Sequence, residues 1–381
     1  MKFGFFLMPC HHPTESPTLA FQRDLEMVQV AEDLGYDEVW IGEHHSGGWE
    51  NIPAPDIFIA AAAQRTRRIR LGAGVVNLPY HHPFHVAERM AFLDQLTLGR
   101  VMLGVGPGAL PTDLLLFGLK PEETRGMLRE SLELILRLFR EEAPITHEGP
   151  HWTIRGGALQ VRPYQQPHLP VALASSGRGL SVELIARHGL LMLSGSFFGG
   201  ATGEQMGQQW QRMAELAQGY GRRPDRQDWR VATYVYVAES AEEALAQIRE
   251  GAERQFREYW FSLGMKPIFE DYRGQPGAEM GVAHFARKGS WIIGDPDECA
   301  RKLKELEAST GGFGSLLIVD GGWARREHWH RSMELFARCV MPQLRGSARG
   351  LQGAHERLVR DGRAGVLPDP FRGGTLPPVK D

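Results

Sequence analysis

The chain has 381 residues, of which 42% are hydrophobic and 23% are charged, the proportions of a globular protein rather than a disordered or fibrous one. Its net charge is −3 and it has no long basic run, so composition disfavours nucleic acid and anionic membranes as partners. The three cysteines are far apart and odd in number, which excludes a disulfide framework. With no signal-peptide pattern and no run long enough to span a bilayer, we expect a soluble, cytoplasmic protein.

Strand and helix patterns alternate from the start of the chain. A short apolar run at residues 2–8 predicts a strand, and residues 19–34 follow with helical spacing of their apolar side chains. Strands are predicted again at residues 37–41, 69–77 and 100–106, and a helical pattern comes after each of them. The first 140 residues therefore predict four strand–helix units.

Residues 141–168 interrupt this alternation, because they are rich in glycine and proline, and they predict a hairpin-like excursion. Four more strands are predicted at residues 171–174, 190–194, 230–237 and 315–319, with helices between them. Strands that alternate with helices form parallel sheets, and eight such units favour a closed barrel over an open doubly wound sheet. The predicted fold is therefore α/β, a (β/α)8 TIM barrel.

Two segments lie outside the barrel pattern. Residues 259–290, between the seventh and eighth strands, mix aromatic residues with glycine and proline and are too long for an ordinary connection. They predict either a lid over the site or a surface insertion. Residues 346–381 contain one charged helical stretch and then a proline- and glycine-rich end, which predicts a partly flexible extension after a barrel domain of residues 1–345.

Histidine pairs follow the first three strands, at the end of the barrel where active sites of this fold lie. They are His11–His12, His44–His45 and His81–His82. Because neighbouring side chains in an extended chain point to opposite sides, we expect at most one histidine of each pair to face the pocket. Convergent imidazoles can bind a metal, so a metal-dependent barrel hydrolase is one hypothesis. However, strands five to seven end in ASS, LSG and YVA, which supply no further ligands of the usual kind.

Two glycine-rich turns indicate an anion site. Arg125 lies at the start of the helix after the fourth strand, and SSGR at residues 175–178 precedes the helix after the fifth. Helix N-termini, hydroxyl groups and guanidinium groups can together hold a phosphate. The small residues 72–74 would let a flat ring approach the third strand. These features together predict a phosphate-bearing cofactor.

Longer segments resemble the bacterial luciferase-like flavin monooxygenases over residues 1 to about 345. The most specific are GEHH after the second strand, NLPYHHP after the third and LDQLTLGR before the fourth. HSGGWENIP, GPGALP and TGGFGS are most similar to the limonene monooxygenase and diketocamphane monooxygenase branch. The resemblance implies a TIM barrel, usually a homodimer, that binds reduced FMN from a separate NAD(P)H:flavin reductase. It further implies reaction of the flavin with O2 to a C4a-hydroperoxide.

The resemblance also implies roles for individual residues. His44 corresponds to the family's catalytic histidine, with Glu43 beside it, and the Gly74–Val75 bond falls where the family has a cis peptide behind the flavin ring. The cofactor-binding residues that we predict are Gly74, Val75, Asn77, Arg125, Ser175, Ser176, Gly177 and Arg178. The substrate-pocket residues that we predict are Phe6, Met8, His82 and Leu110, and no metal is expected.

The chain also departs from the family pattern. Luciferase has cysteine and arginine where this chain has Gly106 and Pro107, so one phosphate arginine is absent and Arg178 is expected to replace it. The loss of that cysteine disfavours aldehyde luminescence.

The expected reaction is oxygenation of a hydrophobic organic substrate by epoxidation, hydroxylation or Baeyer–Villiger oxidation. We expect His44 to act as the general acid or base, with Glu43 or another partner holding its tautomer. Three alternatives are an F420-dependent oxidoreductase of the same superfamily, a non-catalytic flavin-binding paralogue, which the intact GEHH motif disfavours, and the metal-dependent barrel hydrolase.

Overall fold

A computed structural model describes residues 1–195 and 202–364 of the chain. The strands are β1 (Lys2–Leu7), β2 (Glu38–Ile41), β3 (Arg70–Asn77), β4 (Val101–Gly106), β5 (Ile145–Glu148), β6 (Thr153–Gly157), β7 (Val171–Ala174), β8 (Leu191–Gly195), β9 (Trp229–Thr233), β10 (Val235–Val237), β11 (Ile292–Gly294) and β12 (Ser315–Asp320). The helices are α1 (Pro17–Asp33), α2 (Pro55–Arg65), α3 (Pro83–Leu96), α4 (Pro111–Phe117), α5 (Pro121–Arg140), α6 (Leu180–His188), α7 (Gly203–Gly219), α8 (Ala241–Gln255), α9 (Val282–Lys288), α10 (Pro296–Thr310), α11 (Arg326–Leu335), α12 (Met341–Arg345) and α13 (Arg349–Arg363).

Eight strands form a closed parallel barrel in the order β1-β12-β9-β8-β7-β4-β3-β2. The barrel closes where β1 pairs with β12, in a register that runs from Lys2 opposite Ser315 to Leu7 opposite Asp320. Each predicted core strand is one of these eight, so the predicted TIM barrel is confirmed. The carboxyl ends of all eight strands consequently meet at one face, where this fold places its active sites.

The remaining strands lie outside the barrel. β5 and β6 pair antiparallel, which confirms the hairpin predicted between residues 141 and 168. The prediction of one strand at residues 230–237 is wrong, because the chain leaves the barrel after Thr233 and β10 pairs instead with β11. Tyr234 stands at the break, and its ring packs 4.2 Å from that of Trp323 and 4.6 Å from that of Trp291. This aromatic packing competes with continuation of the strand.

Trp40 fills the interior of the barrel, where its side chain is fully buried. Glycines on neighbouring strands give it room. A Cβ atom at Gly72 would lie 2.5 Å from the Trp40 ring, and one at Gly104 would lie 2.3 Å from the Ala73 carbonyl oxygen. Gly72 is therefore required by packing against Trp40, and it does not offer the approach to a flat ring that the sequence suggested for residues 72–74.

We expect Gly72→Ala to lower the free energy of unfolding by about 1–3 kcal/mol, because the new methyl group overpacks the barrel interior. The measurement is the thermal unfolding midpoint. Gly219→Ala at the end of α7 is the matched control, since an added Cβ atom there meets nothing within 4 Å. Equal midpoints for the two variants would show that Trp40 shifts without cost and would contradict the packing argument.

The 259–290 insertion begins in a π-helical turn after α8 and ends with α9. It has an aromatic core of its own, since Tyr259, Trp260, Phe269 and Phe285 are each at most 3% exposed. The Phe256 ring joins this core at 4.8 Å from that of Phe269. The segment is thus a packed body rather than a loose surface loop, and its role as a lid stays a prediction.

The C-terminal part of the chain continues beyond the barrel as α13. This helix is exposed along its length, with Leu351 and Leu358 at 78% and 56% exposure. Residues 365–381, which include the predicted proline- and glycine-rich end, lie outside the described residues. Over the ranges 1–195 and 202–364, no helix combines the length and apolar character needed to cross a membrane.

Candidate active site

The carboxyl ends of the barrel strands surround a cavity of about 1450 Å³. Single small-molecule sites reach about 1000 Å³, so this cavity has room for more than one molecule. The strands contribute mainly apolar side chains, and α5, α7 and the loop between β7 and α6 contribute polar ones. The apolar group includes Phe6, Val75, Leu193, Ala232 and Leu317, and the polar group includes Arg125, Ser175, Ser176, Arg178, Gln205, Gln208, Gln209 and Arg212.

Three arginines converge on the polar part of this cavity: Arg125 on α5, Arg178 before α6 and Arg212 on α7. All three are exposed. Among the residues that the structure describes, none of the three forms an ion pair with a carboxylate. Three cations without anionic partners at one cavity wall make a site suited to a phosphate or another multiply charged anion.

The serine loop between β7 and α6 is shaped by its own hydrogen bonds. The Ser175 hydroxyl accepts from the Gly177 N–H at 3.0 Å and lies 3.0 Å from the Ser181 hydroxyl. Ser176 is exposed at the cavity, so it is the hydroxyl better placed to meet a ligand. Gly177 has a φ of +76°, and a Cβ atom there would lie 2.1 Å from Gln209 on α7, so only glycine fits.

The polar face of α7 was missed by the sequence analysis. Gln205, Gln208, Gln209 and Arg212 all line the cavity. Their spacing is i, i+3, i+4 and i+7, which places them on one side of a helix. That pattern was visible in the sequence, but a polar helix face is more often simply solvent-exposed, so nothing distinguished it without the barrel around it.

The third strand has the backbone that the resemblance implied. The Gly74–Val75 peptide bond is cis, and both residues line the cavity. A Cβ atom at Gly74 would lie 2.9 Å from Trp40 Cβ and 3.4 Å from the Phe6 ring. Gly74 therefore keeps the backbone close to both aromatic side chains and leaves the cavity open above them.

His44 is held by a carboxylate at each ring nitrogen. Its Nδ1 lies 3.0 Å from Asp113 Oδ2 and its Nε2 lies 3.1 Å from Glu50 Oε2. Both carboxylates are buried, and Asp113 also accepts the His45 N–H and the Ser46 hydroxyl. Asp113 lies in the first turn of α4, shortly after the cavity-lining residues Pro107 and Ala109, whereas His44 itself is not one of the described residues that line the cavity.

The charges around His44 favour its protonated form. Burial alone would lower the pKa of His44, but the Glu50 carboxylate and the hydrogen bond with Asp113 outweigh it and raise that pKa. Burial likewise opposes the shift at Asp113, where the hydrogen bonds from His44 and Ser46 nevertheless lower the pKa. Burial dominates at Glu50 and raises its pKa. The two carboxylates thus favour the protonated form of His44, while their own pKa shifts run in opposite directions.

Glu43 does not contact His44, so of the two alternatives left by the sequence it is another partner that holds the imidazole. Glu43 Oε1 accepts hydrogen bonds from His45 Nε2 at 3.0 Å and His81 Nε2 at 2.9 Å. The reason is alternation: Glu43 and His45 are two residues apart and share one side of the extended chain, while His44 points to the other. Burial raises the pKa of Glu43, but the two histidines outweigh it and lower that pKa.

Four other predicted site residues lie outside the cavity lining. The Asn77 side-chain amide donates to the Glu43 carbonyl at 3.1 Å and so holds the loop after β2. His82 Nδ1 accepts from the Phe84 N–H at 3.2 Å and caps α3. Met8 and Leu110 are 4% and 3% exposed and pack in a hydrophobic cluster with Trp40. Of the predicted substrate-pocket residues, Phe6 lines the cavity.

Comparison with known proteins gives concordant results. Residues 1–312 match the family model described as luciferase-like monooxygenase. The chain is 42% identical over 369 residues to 4-hydroxyprotoasukamycin monooxygenase of Streptomyces nodosus subsp. asukaensis, covering 96% of this chain and 98% of the relative. It is 35% identical over 346 residues to limonene 1,2-monooxygenase of Rhodococcus erythropolis, covering 91% and 87% of the two chains.

A solved structure gives the same result for the fold. It is the oxygenating constituent of 3,6-diketocamphane monooxygenase from Pseudomonas putida, a type II Baeyer–Villiger monooxygenase, in complex with FMN. The two structures agree with a TM-score of 0.78 at 27% identity, over 90% of this chain and 98% of the other.

The fold is a TIM barrel with a cavity at the carboxyl ends of its strands, and three arginines lie along the polar wall of that cavity. The chain belongs to the luciferase-like monooxygenase family. Its similarity to limonene and diketocamphane monooxygenases confirms the branch that the sequence motifs indicated. Membership of this family replaces the metal-dependent hydrolase alternative.

Proposed function

We propose that the protein is a two-component, FMN-dependent monooxygenase that transfers one oxygen atom from O2 to a hydrophobic organic substrate. The observation that carries the proposal is the cavity, in which apolar strand residues adjoin the serine loop and three arginines that form no ion pair within residues 1–195 and 202–364. The family match and an FMN complex of similar fold support the choice of cofactor. The reduced flavin would come from a separate NAD(P)H:flavin reductase.

The cavity residues fit FMN at both of its ends. Arg125, Ser176, Arg178 and Arg212 would hold the phosphate, because they offer cationic and hydroxyl donors without competing carboxylates. The cis-linked backbone at Gly74 would face the flat ring system. When bound, reduced FMN supplies the electrons with which O2 is activated. The apolar strand residues would keep water from that reaction and receive the substrate.

His44 would move the proton that oxygen transfer requires. Its raised pKa favours the imidazolium, which is a proton donor, and Asp113 keeps the Nδ1 proton in place so that Nε2 is the exchanging position. Glu43, by contrast, would act at a distance, by holding His45 and His81 in the loops around the site.

We also propose that the protein is a homodimer. Apolar side chains on the outer faces of α2, α3 and α4 are exposed to an extent that a monomer of this size would not need. They are Ile57, Phe92, Leu96, Leu115 and Leu116, together with Leu98 in the turn after α3. Light scattering should give twice the chain mass of 42.6 kDa, and Ile57→Lys should shift it toward the monomer.

The barrel domain is proposed to end near residue 345, with residues 346–381 as an extension. The exposure of α13 on all sides supports this boundary, because the helix adds nothing to the barrel core.

The test of function is isotopic. The protein is mixed anaerobically with reduced FMN and a trial substrate, either limonene or a bicyclic ketone, and ¹⁸O2 is then admitted. We expect one labelled oxygen atom in the product and less peroxide than free flavin releases. If no label enters any product and flavin oxidises as it does without protein, the proposal fails. Binding of F420, with alcohol oxidation in the absence of O2, would then support the alternative cofactor.

A further inference from the structure

The contacts of His44 leave neither ring nitrogen free. Nδ1 is taken by Asp113 and Nε2 by Glu50, at 3.0 and 3.1 Å. An imidazole acts as an acid or base only through a nitrogen that reaches the reacting group. In this arrangement His44 is therefore held in reserve, and one of the two contacts must open before it can act.

Of the two contacts, the one between Glu50 and His44 Nε2 is the one that we expect to open. Asp113 is tied down by three donors, namely His44, the His45 N–H and the Ser46 hydroxyl, and it lies in the first turn of α4. Glu50 lies in the loop between β2 and α2, and among the described residues its Oε1 has no hydrogen-bond partner that meets the usual geometry. A buried carboxylate with one unsatisfied oxygen is the costlier of the two to keep ionised.

The loop that carries Glu50 rests on the 259–290 insertion through Tyr259. The Trp49 ring stacks on Tyr259 with centroids 5.8 Å apart, and a Cβ atom at Gly47 would lie 3.1 Å from the Tyr259 ring. Gly47 has a φ of +80°, so this close approach and the backbone turn both require glycine. The Tyr259 hydroxyl and Glu50 Oε1 are both buried without a hydrogen-bond partner of the usual geometry among the described residues, and the hydroxyl lowers the pKa of Glu50, which favours its ionised form. A shift of the 259–290 insertion would therefore affect His44 through Glu50.

We propose that Glu50 is the positioning residue that holds His44 Nε2 in reserve, and that the 259–290 insertion controls its release through Tyr259. Opening the contact moves no proton: the Glu50 carboxylate moves away from Nε2–H, which keeps its hydrogen atom, while Asp113 continues to hold Nδ1. The inference rests on the proposed function for its purpose, but the coupling between Glu50 and His44 is a property of the protein without flavin.

The charges around His44 give the direction of the effect. The acidic groups in contact with it are Glu50 from its own loop and Asp113 from α4, and Glu43 acts on it from the other side of the chain; all three favour the imidazolium. Cys10, at the end of β1, is a further titratable group near Glu50, and burial raises the pKa of that thiol. Removing the Glu50 charge must therefore lower the pH at which His44 loses its proton.

The experiment is a histidine titration by NMR on ¹⁵N-labelled protein without flavin, with His44 assigned by the loss of its signals in His44→Gln. In Glu50→Gln, we expect the midpoint of His44 to fall by about one pH unit or more. Glu50→Asp keeps the charge and should recover most of the shift. Glu130→Gln, which removes the carboxylate beside His147 elsewhere in the fold, should leave His44 unchanged.

Tyr259→Phe tests the connection to the insertion, because it keeps the ring that packs on Trp49 and removes the hydroxyl. We expect the His44 midpoint to change in Tyr259→Phe and the pH profile of product formed per flavin oxidised to move in the same direction. An unchanged midpoint in Glu50→Gln would overturn the role of Glu50. An unchanged midpoint in Tyr259→Phe would overturn control by the insertion. If the midpoints shift but no variant oxygenates any substrate, the proposed function fails and the coupling stands.

Discussion

His44→Ala is expected to lower oxygenated product by about 100-fold or more while FMN still binds, since a positioned acid or base contributes about 10²–10⁴ to rate. His44 has a buried acid at each ring nitrogen, and its raised pKa keeps a proton available. In His44→Ala the reduced flavin should still reduce O2, but the oxygen should be released as peroxide instead of being transferred to the substrate. The measurements are product and peroxide per flavin oxidised, together with FMN affinity.

A matched control uses a histidine that the structure keeps out of the site. His85 is exposed on α3, where Nδ1 contacts Glu88 at 2.7 Å, so His85→Ala should leave product yield and FMN affinity unchanged. If His44→Ala gave wild-type yield, His44 would not be the proton donor. A loss of FMN binding along with yield would instead assign His44 to cofactor binding.

The pH dependence of the reaction should follow the same residue. The pKa of His44 is raised in the folded protein, so the imidazolium persists to higher pH than for an exposed histidine. If the proton donor limits the reaction, product per flavin should be highest below that raised pKa and should fall as the pH rises through it. Asp113→Asn removes a charge that raises the pKa, so the fall should begin at lower pH.

The barrel was predictable from sequence because its evidence is local. Each strand is a short apolar run, and each helix has apolar side chains at helical spacing. Eight such strand–helix units favour the closed parallel barrel over an open sheet. The wrong prediction at residues 230–237 shows where local evidence is insufficient. The strand breaks at Tyr234 because the rings of Trp291 and Trp323, which lie 57 and 89 residues further along the chain, pack against it. No local pattern carries that information.

The site was predictable only in part, because residues that contact each other in it are far apart in the sequence. The histidine pairs and the serine loop stand directly after strands and could be selected from sequence. Asp113, however, is 69 residues from the histidine it holds, and the sequence offered the adjacent Glu43 instead. Side-chain alternation made that neighbour the wrong one. Arg212 was missed for a similar reason, because α7 meets the cavity only after the barrel has closed.

FMN affinity should depend strongly on the three cavity arginines. Each arginine–phosphate contact is expected to contribute about 1.5 kcal/mol or more, which is about tenfold in Kd. Arg125→Ala, Arg178→Ala and Arg212→Ala should each weaken FMN binding by that factor, and the triple variant by about 100-fold or more. Binding is followed by quenching of flavin fluorescence. Additivity is not expected to be complete, because the three cations share one ligand.

Binding of riboflavin distinguishes the contribution of the phosphate from that of the flavin ring system. It lacks the phosphate, so its affinity should be low in the wild type and nearly unchanged in the triple variant. Arg129→Ala is the control on the same helix, since Arg129 follows Arg125 by one turn and lies 4.0 Å from Glu183. If Arg212→Ala alone left FMN affinity unchanged, the site would hold the phosphate with two arginines, and α7 would serve another part of the cavity. If all three variants lost FMN and riboflavin equally, the arginines would support the fold of the site rather than bind an anion.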